Sequence, residues 1–232
     1  DLVSNNLAQA STTGYKKDNG IKESFPEMLI QKVEKGETDK ELGGLGTGVH
    51  LDQSYTDHSQ GEIKSTCNNL DFAIQGQGFF AIRTPAGRRY TRNGNFSLNS
   101  EGELVTSSGY PLLNQEGETL QIESGEKIKI DGRGNLISGP AEPGQQIQVV
   151  SFAESQNLQK QGENLYNAGE NEPVPAQNYQ ILQGYLETSN VKIVKEMAQM
   201  IQTNRLYEAN QKVIKTMDNT LDQAVNRVGR LG

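Results

Sequence analysis

Two glycines in the sequence have a spacing that could serve phosphate chemistry. Gly76 and Gly78 are separated by one residue and follow an apolar stretch, as glycines do in loops that wrap a nucleotide phosphate. A dinucleotide loop also requires a third glycine and a helix that begins directly after it, and the sequence that follows provides neither. We therefore interpret both glycines as residues at the edge of a strand.

Possible metal ligands occur in two places, but neither has the pattern of a metal site. Residues 131–135 (DGRGN) offer oxygen ligands like those of a calcium loop, yet the run is not repeated in the chain. His50 and His58 are the only histidines and lie in a polar stretch, which favours surface loops over a metal pair. Cys67 is the single cysteine, so an intrachain disulfide is excluded, and we interpret it as a small half-buried side chain. The sequence thus predicts no metal and no cofactor.

Acidic residues could act in pairs on a sugar bond, which requires two carboxyl groups held across a cleft. The candidates are Asp71, Glu101 and Glu103, which lie in strand or turn sequence. Nothing near them resembles an aromatic-rich sugar groove, and the chain contains no Trp. We therefore predict that the chain is not an enzyme.

The composition is that of a polar, acidic chain. Its 232 residues suffice for one or two domains, but only 33% are apolar and the mean hydropathy is −0.68, so the core is expected to be thin or completed by neighbouring molecules. A formal charge of −7 argues against nucleic acid as a partner. No apolar run approaches the ~20 residues of a membrane span, which predicts no membrane insertion. A signal-peptide pattern is missing from the N-terminal sequence, so export would need another route.

A long helix near the C-terminus is the element most clearly predicted. Residues 190–228 contain neither Pro nor Gly, residues 188–190 (TSN) supply capping oxygens, and Gly229 suits a helix end. At about 1.5 Å per residue this helix would be roughly 58 Å long, which exceeds what a domain of this size needs to cover its core. Such a helix typically binds another chain.

The apolar residues of this helix occupy two faces that differ in direction by roughly 120°. The first set comprises Val191, Val194, Met197, Ala198 and Ile201, and the second comprises Leu206, Ala209, Val213, Met217, Ala224 and Val228, with Leu221 continuing its spacing. The change of face falls near Asn204. A kink there or two different partners would explain it.

The N-terminal region reads as a short helix followed by a connector. Residues 1–10 place Leu2, Val3 and Leu7 near one helical face before the STTG run at 11–14 ends the pattern. A helix this short is marginal alone, so residues 1–15 are expected to be the remnant of a longer helix. Residues 16–48 predict an extended connector with a weak helical patch at 28–33.

Between residues 49 and 183 the apolar pattern changes to a period of two, which predicts strands. Asn93-Gly94 predicts a two-residue hairpin between residues 89–92 and 95–98. Further strands are expected near residues 128–130, 135–137 and 146–152, and Pro173 and Pro175 fix an extended return toward the helix. The sequence therefore predicts a mainly β fold, in which a small-stranded antiparallel β domain (49–183) is inserted between the N-terminal helix remnant and a C-terminal helix (184–232) that would pair with it.

Three separated motifs resemble those of one protein family. Residues 5–16 (NNLAQASTTGYK) resemble the N-terminal signature of bacterial flagellar rod and hook proteins. The family's central β-domain motifs are similar to residues 70–80 (LDFAIQGQGFF), 90–96 (YTRNGNF) and 109–112 (GYPL), and its C-terminal signature is similar to residues 183–191 (QGYLETSNV) and 205–210 (RLYEAN). Length and the QGYLE run favour the distal-rod branch over the longer hook protein. The signature residues carried over are Asn6, Leu7, Thr13, Gly14, Tyr15, Gly76, Gly78, Gly184 and Asn190.

The resemblance implies a structural axial subunit of the flagellar basal body, in the rod or rod–hook region and outside the cytoplasmic membrane. Such a subunit would be exported by the type III apparatus and would self-assemble, with other rod and hook proteins, through terminal helices into a tube that transmits torque. The residues implied in intersubunit packing are Leu7, Val194, Met197, Ile201, Leu206, Val213, Met217 and Leu221.

Two other functions stay open on the sequence alone. Because a rod must cross the cell wall, one alternative is a muramidase-like enzyme that acts on the wall. The other is a carbohydrate-binding or adhesive β module, although this alternative leaves the long helix without a role.

Overall fold

A computed structural model describes residues 1–24, 28–34, 37–45, 49–122, 128–137, 145–162, 164–223 and 225–226. The chain divides into two compact units. Residues 11–190, together with Leu2, form the β unit, and the helical unit contains Asp1, residues 3–10 and the chain from Val191 onward. The prediction of a mainly β protein with terminal helices is confirmed.

The elements follow one another in the order helix, strands, helix. The helices are α1 (Leu2–Ala8) and α2 (Ile193–Gln223), and a short 3-10 turn covers Ser155–Asn157. The strands are β1 (Asp18–Ser24), β2 (Met28–Glu34), β3 (Glu37–Leu45), β4 (Val49–Thr56), β5 (Ile63–Ser65), β6 (Phe72–Gly76), β7 (Phe79–Thr84), β8 (Gly87–Thr91), β9 (Phe96–Leu98), β10 (Leu104–Thr106), β11 (Val149–Ser151), β12 (Gln159–Gln161), β13 (Leu165–Asn167), β14 (Val174–Pro175), β15 (Tyr179–Gln183) and β16 (Tyr185–Glu187).

An antiparallel six-stranded sheet forms the centre of the β unit. Its strand order is β12-β13-β8-β7-β11-β14, so strands distant in sequence are neighbours. The remaining strands form antiparallel pairs, which are β1-β4, β2-β3, β5-β16, β6-β15 and β9-β10. The strands are short, as the closely spaced turn residues predicted.

The segment predicted as a connector forms strands instead. Within it, β2 pairs with β3, and β1 pairs with β4 across the next stretch of chain. The prediction of a weak helical patch at residues 28–33 is wrong, because these residues belong to β2. A run of five or six residues shows too little of a helical period to outweigh pairing with a complementary strand.

Both faces of β7 are buried, which explains why its sequence is almost continuously apolar. Phe80 and Ile82 point into one cluster, whereas Phe79 and Ala81 point into another on the opposite face. The first cluster also contains Phe72, Ile74, Phe96, Leu104, Leu112, Leu120, Ile122, Leu136, Ile147, Val149 and Ile181, and the second contains Tyr90, Leu113, Val150, Leu158 and Tyr166. The β unit therefore has its own core, divided by the six-stranded sheet.

The predicted hairpin at Asn93-Gly94 is wrong. The strand before it, β8, pairs with β7 and β13, and the strand after it, β9, pairs with β10. Gly94 lies where the chain passes from one sheet to another, and its carbonyl accepts a hydrogen bond from the amide of Phe72 at 2.9 Å. A Cβ at Gly94 would overlap the Phe72 carbonyl oxygen. The glycine is thus required by a close approach of two backbones rather than by a tight turn.

Gly76 and Gly78 lie at the short connection between β6 and β7, where the backbone also approaches another segment closely. Their φ angles are +106° and +139°, and a Cβ at Gly76 would lie 2.5 Å from the carbonyl oxygen of Asn178. The element that follows is β7, not the helix that a phosphate loop needs. The interpretation of strand-edge glycines therefore fits the structure.

Of the three strands predicted near residues 128–152, only the last contains a named strand, β11. The other two segments meet through an isolated bridge between Ile130 and Leu136, and Asn135 makes another with Gln146. Turns at this density leave too few residues for continuous ladders.

Helix α2 is present as predicted but begins three residues later. Two of the side chains expected to cap it bond within the β unit instead. Asn190 Oδ1 accepts from the Lys17 amide, and the Thr188 hydroxyl donates to the Glu62 carbonyl. Helical structure continues without interruption through Asn204 to Gln223. The predicted end near residue 228 lies outside the described residues.

Candidate functional site

Helix α2 presents large apolar side chains to solvent along its whole described length. Seven of the predicted packing residues lie on it, and their exposed fractions range from 49% at Met197 to 82% at Val194. We call Val194, Met197 and Ile201 the proximal face, and Leu206, Val213, Met217 and Leu221 the distal face. The eighth residue, Leu7, lies on α1 and is half-buried.

Such exposure is unusual for a helix that functions alone in water. From Ile201 to Gln223 every residue is exposed, so tertiary contacts give this part of α2 little support. Isolated helices gain most of their stability from a packed apolar face, and a contiguous exposed apolar surface marks an interaction site. The distal face is therefore the first candidate functional surface.

We expect hydrogen exchange to differ sharply between the two units in dilute solution. Amides beyond Leu206 should exchange fast because every residue from 206 to 223 is exposed, whereas amides of residues 72–98 should exchange slowly inside the double core. Hydrogen–deuterium exchange read by mass spectrometry measures both regions in one sample. Equal protection of the two regions would contradict the expectation.

The second candidate site is a buried group of charges in the β unit, formed by Lys16, Arg92 and Glu187, which we call the ionic clamp. The Lys16 Nζ lies 2.5 Å from Glu187 Oε1, and the Arg92 Nη1 lies 3.2 Å from Glu187 Oε2. The side chains of Lys16 and Glu187 are fully buried and that of Arg92 is 4% exposed. One carboxylate thus receives two cations from distant parts of the chain.

Backbone groups complete the clamp. The amide of Gly61 donates to Glu187 Oε1 at 2.8 Å, and the amide of Gly14 donates to the Glu187 carbonyl at 2.8 Å. Gly14 has a φ of +67°, and a Cβ there would lie 2.5 Å from the carbonyl carbon of Arg92, so a side chain at this position would push against the backbone of a clamp residue. Burial lowers the pKa of the Lys16 ammonium, and the charge of Glu187 opposes this effect.

The clamp fastens together the two segments that continue into the terminal helices. The amide of Lys17 donates to Asn190 Oδ1 at 2.8 Å. This bond joins the N-terminal segment of the β unit to Asn190, the last residue of that unit. Lys160 donates to the Lys16 carbonyl and lies 3.7 Å from the centre of the Tyr15 ring. The entry and exit of the β unit are therefore held in fixed register with each other.

His58 lies in the loop after β4, as predicted, but it is half-buried rather than at the surface. Its ring lies between Phe79 and Tyr166, with centroid distances of 5.4 and 5.2 Å. Burial lowers the pKa of His58 to about 4, and the positive charges of Lys16 and Arg92 add to this effect. His50 belongs to β4 rather than to a loop.

The depressed pKa of His58 predicts acid sensitivity. The unfolded chain takes up a proton on this ring near pH 6.5, whereas the folded chain does so only near pH 4. Stability is thus fully present above pH 6.5 and is lost as the pH falls toward 4, by about 2–3 kcal/mol from this group. Urea unfolding at pH 7 and pH 4.5 should show this loss in the wild type and in His50→Gln, but a smaller loss in His58→Gln. An identical loss in all three proteins would refute this role for His58.

Three of the acidic residues considered for chemistry accept hydrogen bonds from neighbouring groups of the chain. Asp131 holds its own turn by accepting hydrogen bonds from the amides of Arg133 and Asn135. Asp71 accepts from Asn68 and Asn95, and Glu103 accepts from Asn99. Cys67 is exposed and has a φ of +59°, so its interpretation as half-buried is wrong. Within the described residues, no group of His, Cys, Asp and Glu could hold a metal ion.

The signature residues fall into separate groups. The structure brings Thr13, Gly14, Tyr15 and Asn190 together around the clamp, places Gly76, Gly78 and Gly184 at strand ends, and leaves Asn6 and Leu7 in the helical unit. Sequence reasoning missed the clamp itself, although all three of its residues lie in the quoted motifs. Lys16 and Glu187 are 171 positions apart, and no local pattern indicates that they meet.

The fold and its sites define a helix-flanked β protein with an exposed apolar helix. The family described as flagellar hook protein FlgE/F/G D1 domain matches residues 73–163, and that described as flagellar basal body rod FlgEFG protein C-terminal matches residues 182–227. The chain belongs to the flagellar basal-body rod and hook protein family.

Relatives match over almost their whole length. The flagellar basal-body rod protein FlgG of Bacillus subtilis (strain 168) is 36% identical over 97% of this chain and 92% of its own. The flagellar basal-body rod protein FlgF of Caulobacter vibrioides is 36% identical over 100% of this chain and 91% of its own. The flagellar hook-basal body complex protein FlhO of Bacillus subtilis (strain 168) is 30% identical over 100% of this chain and 93% of its own.

Proposed function

We propose that this chain is a structural axial subunit of the bacterial flagellar basal body, in the rod or rod–hook region. It would self-assemble through its terminal helices into a tube that transmits torque. The observation that carries the proposal is the exposed distal face of α2, since a helix with this many free apolar side chains needs a partner. Relatives named as basal-body rod proteins match this chain over nearly its full length.

The partners follow from the same proposal. Other copies of the chain and other rod and hook proteins would cover the two faces of α2, and the type III export apparatus would carry the chain beyond the cytoplasmic membrane. Among the described helices, none is long and apolar enough to cross a membrane. The ionic clamp suits torque transmission because it fixes the two chain segments that continue into α1 and α2.

Localisation and genetics test the proposal together. Basal bodies purified from the host should contain this chain, and deletion of its gene should stop filament formation until the gene is restored. Intact flagella in the deletion strain, or purified basal bodies that lack the chain, would overturn the proposal.

The enzymatic alternative has its own test. We expect purified peptidoglycan to stay insoluble after incubation with the protein, because Asp71 and Glu103 each accept a hydrogen bond from an asparagine side chain rather than facing each other across a cleft. Soluble fragments measured by chromatography would favour the muramidase only if Asp71→Asn or Glu103→Gln abolished their release.

A further inference from the structure

A polar pocket opens on the β unit near His58 and has no role in the function proposed above. Its volume is about 410 Å³, and the residues that matter for its chemistry are Tyr55, Asp57, His58, Gln77, Arg92 and Ser155. They come from four separate stretches of chain, namely the end of β4, the crossing between β6 and β7, the end of β8 and the 3-10 turn. The volume falls within the range of small-molecule sites.

Two lining side chains have hydrogen-bonding capacity that the described protein leaves unused. Arg92 bonds through Nη1 to the Ile74 carbonyl and Glu187 and through Nη2 to the Gly76 carbonyl, but its buried Nε has no partner. The His58 ring interacts with the backbone of Ser155, and neither ring nitrogen has a further hydrogen-bond partner within the described chain. Buried polar groups without partners are rare in native proteins, and each calls for an explanation.

The charges around the pocket favour a neutral ligand. Arg92 lines the pocket and is balanced by Glu187 in the clamp, whereas Asp57 adds a carboxylate to the pocket wall. An anion would meet Asp57, and a cation would meet Arg92 with Lys16 close behind it. A neutral group that both donates and accepts hydrogen bonds satisfies donors and acceptors alike.

An aromatic ring lies beside these polar groups. Tyr55 is 42% exposed, so its ring offers a flat apolar surface at the pocket. The ring of a pyranose has an apolar face of C–H groups and an edge of hydroxyl groups, which complements an aromatic surface next to polar side chains. Amides, hydroxyls and carboxylates such as Gln77, Ser155 and Asp57 are suited to bind those hydroxyl groups.

We propose that this pocket binds a neutral pyranose sugar, with the Tyr55 ring against the apolar face of the sugar, Asp57, Gln77 and Ser155 hydrogen-bonded to its hydroxyl groups, and the sugar next to the His58 ring. The inference does not depend on the axial role, because the pocket lies wholly within the β unit. A single sugar ring in an open pocket is expected to bind with a dissociation constant of about 1–10 mM.

Nuclear magnetic resonance of the imidazole rings tests the proposal in the full chain. The chain has two histidines, so His50→Gln leaves His58 as the single imidazole signal. Titration with methyl glucopyranoside or N-acetylglucosamine should shift that signal saturably, and glycerol, which has hydroxyls but no ring, should not. A missing or unsaturable shift with both sugars, or an equal shift with glycerol, would overturn the proposal.

Matched variants locate the binding. Tyr55→Ala should weaken binding at least about tenfold because it removes the ring surface, whereas Tyr185→Ala, at an exposed tyrosine outside the pocket lining, should leave it unchanged. Gln77→Ala gives a second variant within the lining that should also weaken binding. Unchanged binding in both pocket variants, each verified as folded by circular dichroism, would refute this pocket as the sugar site.

Discussion

Replacing Glu187 by Gln is expected to lower the free energy of unfolding of the β unit by about 3–5 kcal/mol. The substitution keeps the shape of the side chain and most of its hydrogen bonds but removes the charge that compensates Lys16 and Arg92. Both cations then stay buried without an opposite charge, and an uncompensated buried charge is far more costly than a lost surface ion pair. Equilibrium unfolding in urea at pH 7, followed by circular dichroism of the β-sheet, measures the change.

A matched control comes from an exposed ion pair in the same unit. Lys64 Nζ lies 3.4 Å from Glu62 Oε2, and both side chains are more than half exposed. Glu62→Gln removes the same charge by the same chemical change, but solvent screens this pair, so the expected loss is below about 1 kcal/mol. Equal losses in the two variants would show that the clamp does not hold the β unit together.

A double replacement on the distal face, Val213→Asp with Met217→Asp, is expected to abolish assembly. Burial of a Val or Met side chain contributes about 1.5–3 kcal/mol, so losing two removes roughly 3–6 kcal/mol per subunit before the cost of burying two carboxylates. The β unit has its own core, and the secreted variant should therefore stay folded with an unchanged β-sheet spectrum. Flagellation and motility of cells that carry only this variant are the measurement.

The opposite side of the same helix supplies the control. Gln211→Asp with Asn219→Asp adds the same charge to exposed positions that lie about 120–160° around the helix from the distal face and C-terminal to the proximal face. This variant should assemble normally. Secretion of both variants is measured separately, so that failed export is not read as failed assembly. Normal flagella in cells that carry the distal variant would show that the distal face is not the intersubunit surface, and would favour the proximal face instead.

Local patterns in the sequence determined the elements that depend on local physics. Helix α2 was predicted because residues 190–228 lack Pro and Gly, and its apolar residues were predicted to pack because their spacing repeats every three or four positions. The exposure of Val194 and Leu206 shows that the spacing is not satisfied within this part of the chain. Whether subunits pack on them stays a prediction.

Strand pairing was less predictable, because the residues of a strand do not indicate which other strand it pairs with. Asn93-Gly94 has the composition of a hairpin turn. The strands on either side of it nevertheless pair with other strands, β8 with β7 and β13, and β9 with β10. Residues 28–33 have a weak helical period, yet they form β2 because β3 follows close enough to pair. Local propensity is a weak guide where tertiary partners compete for the same segment.

The sequence by itself determined the fold class, the long helix with its two apolar faces, and the family, because periodicity and motifs are local properties of the chain. Only the tertiary structure decided where charge is buried. The ionic clamp joins Lys16 to Glu187 across 171 positions, and the His58 ring is half-buried because Phe79 and Tyr166 pack against it. Burial and ion pairing depend on which segments of the chain are close in space. A contact between residues far apart in sequence produces no periodic pattern by which it could be predicted.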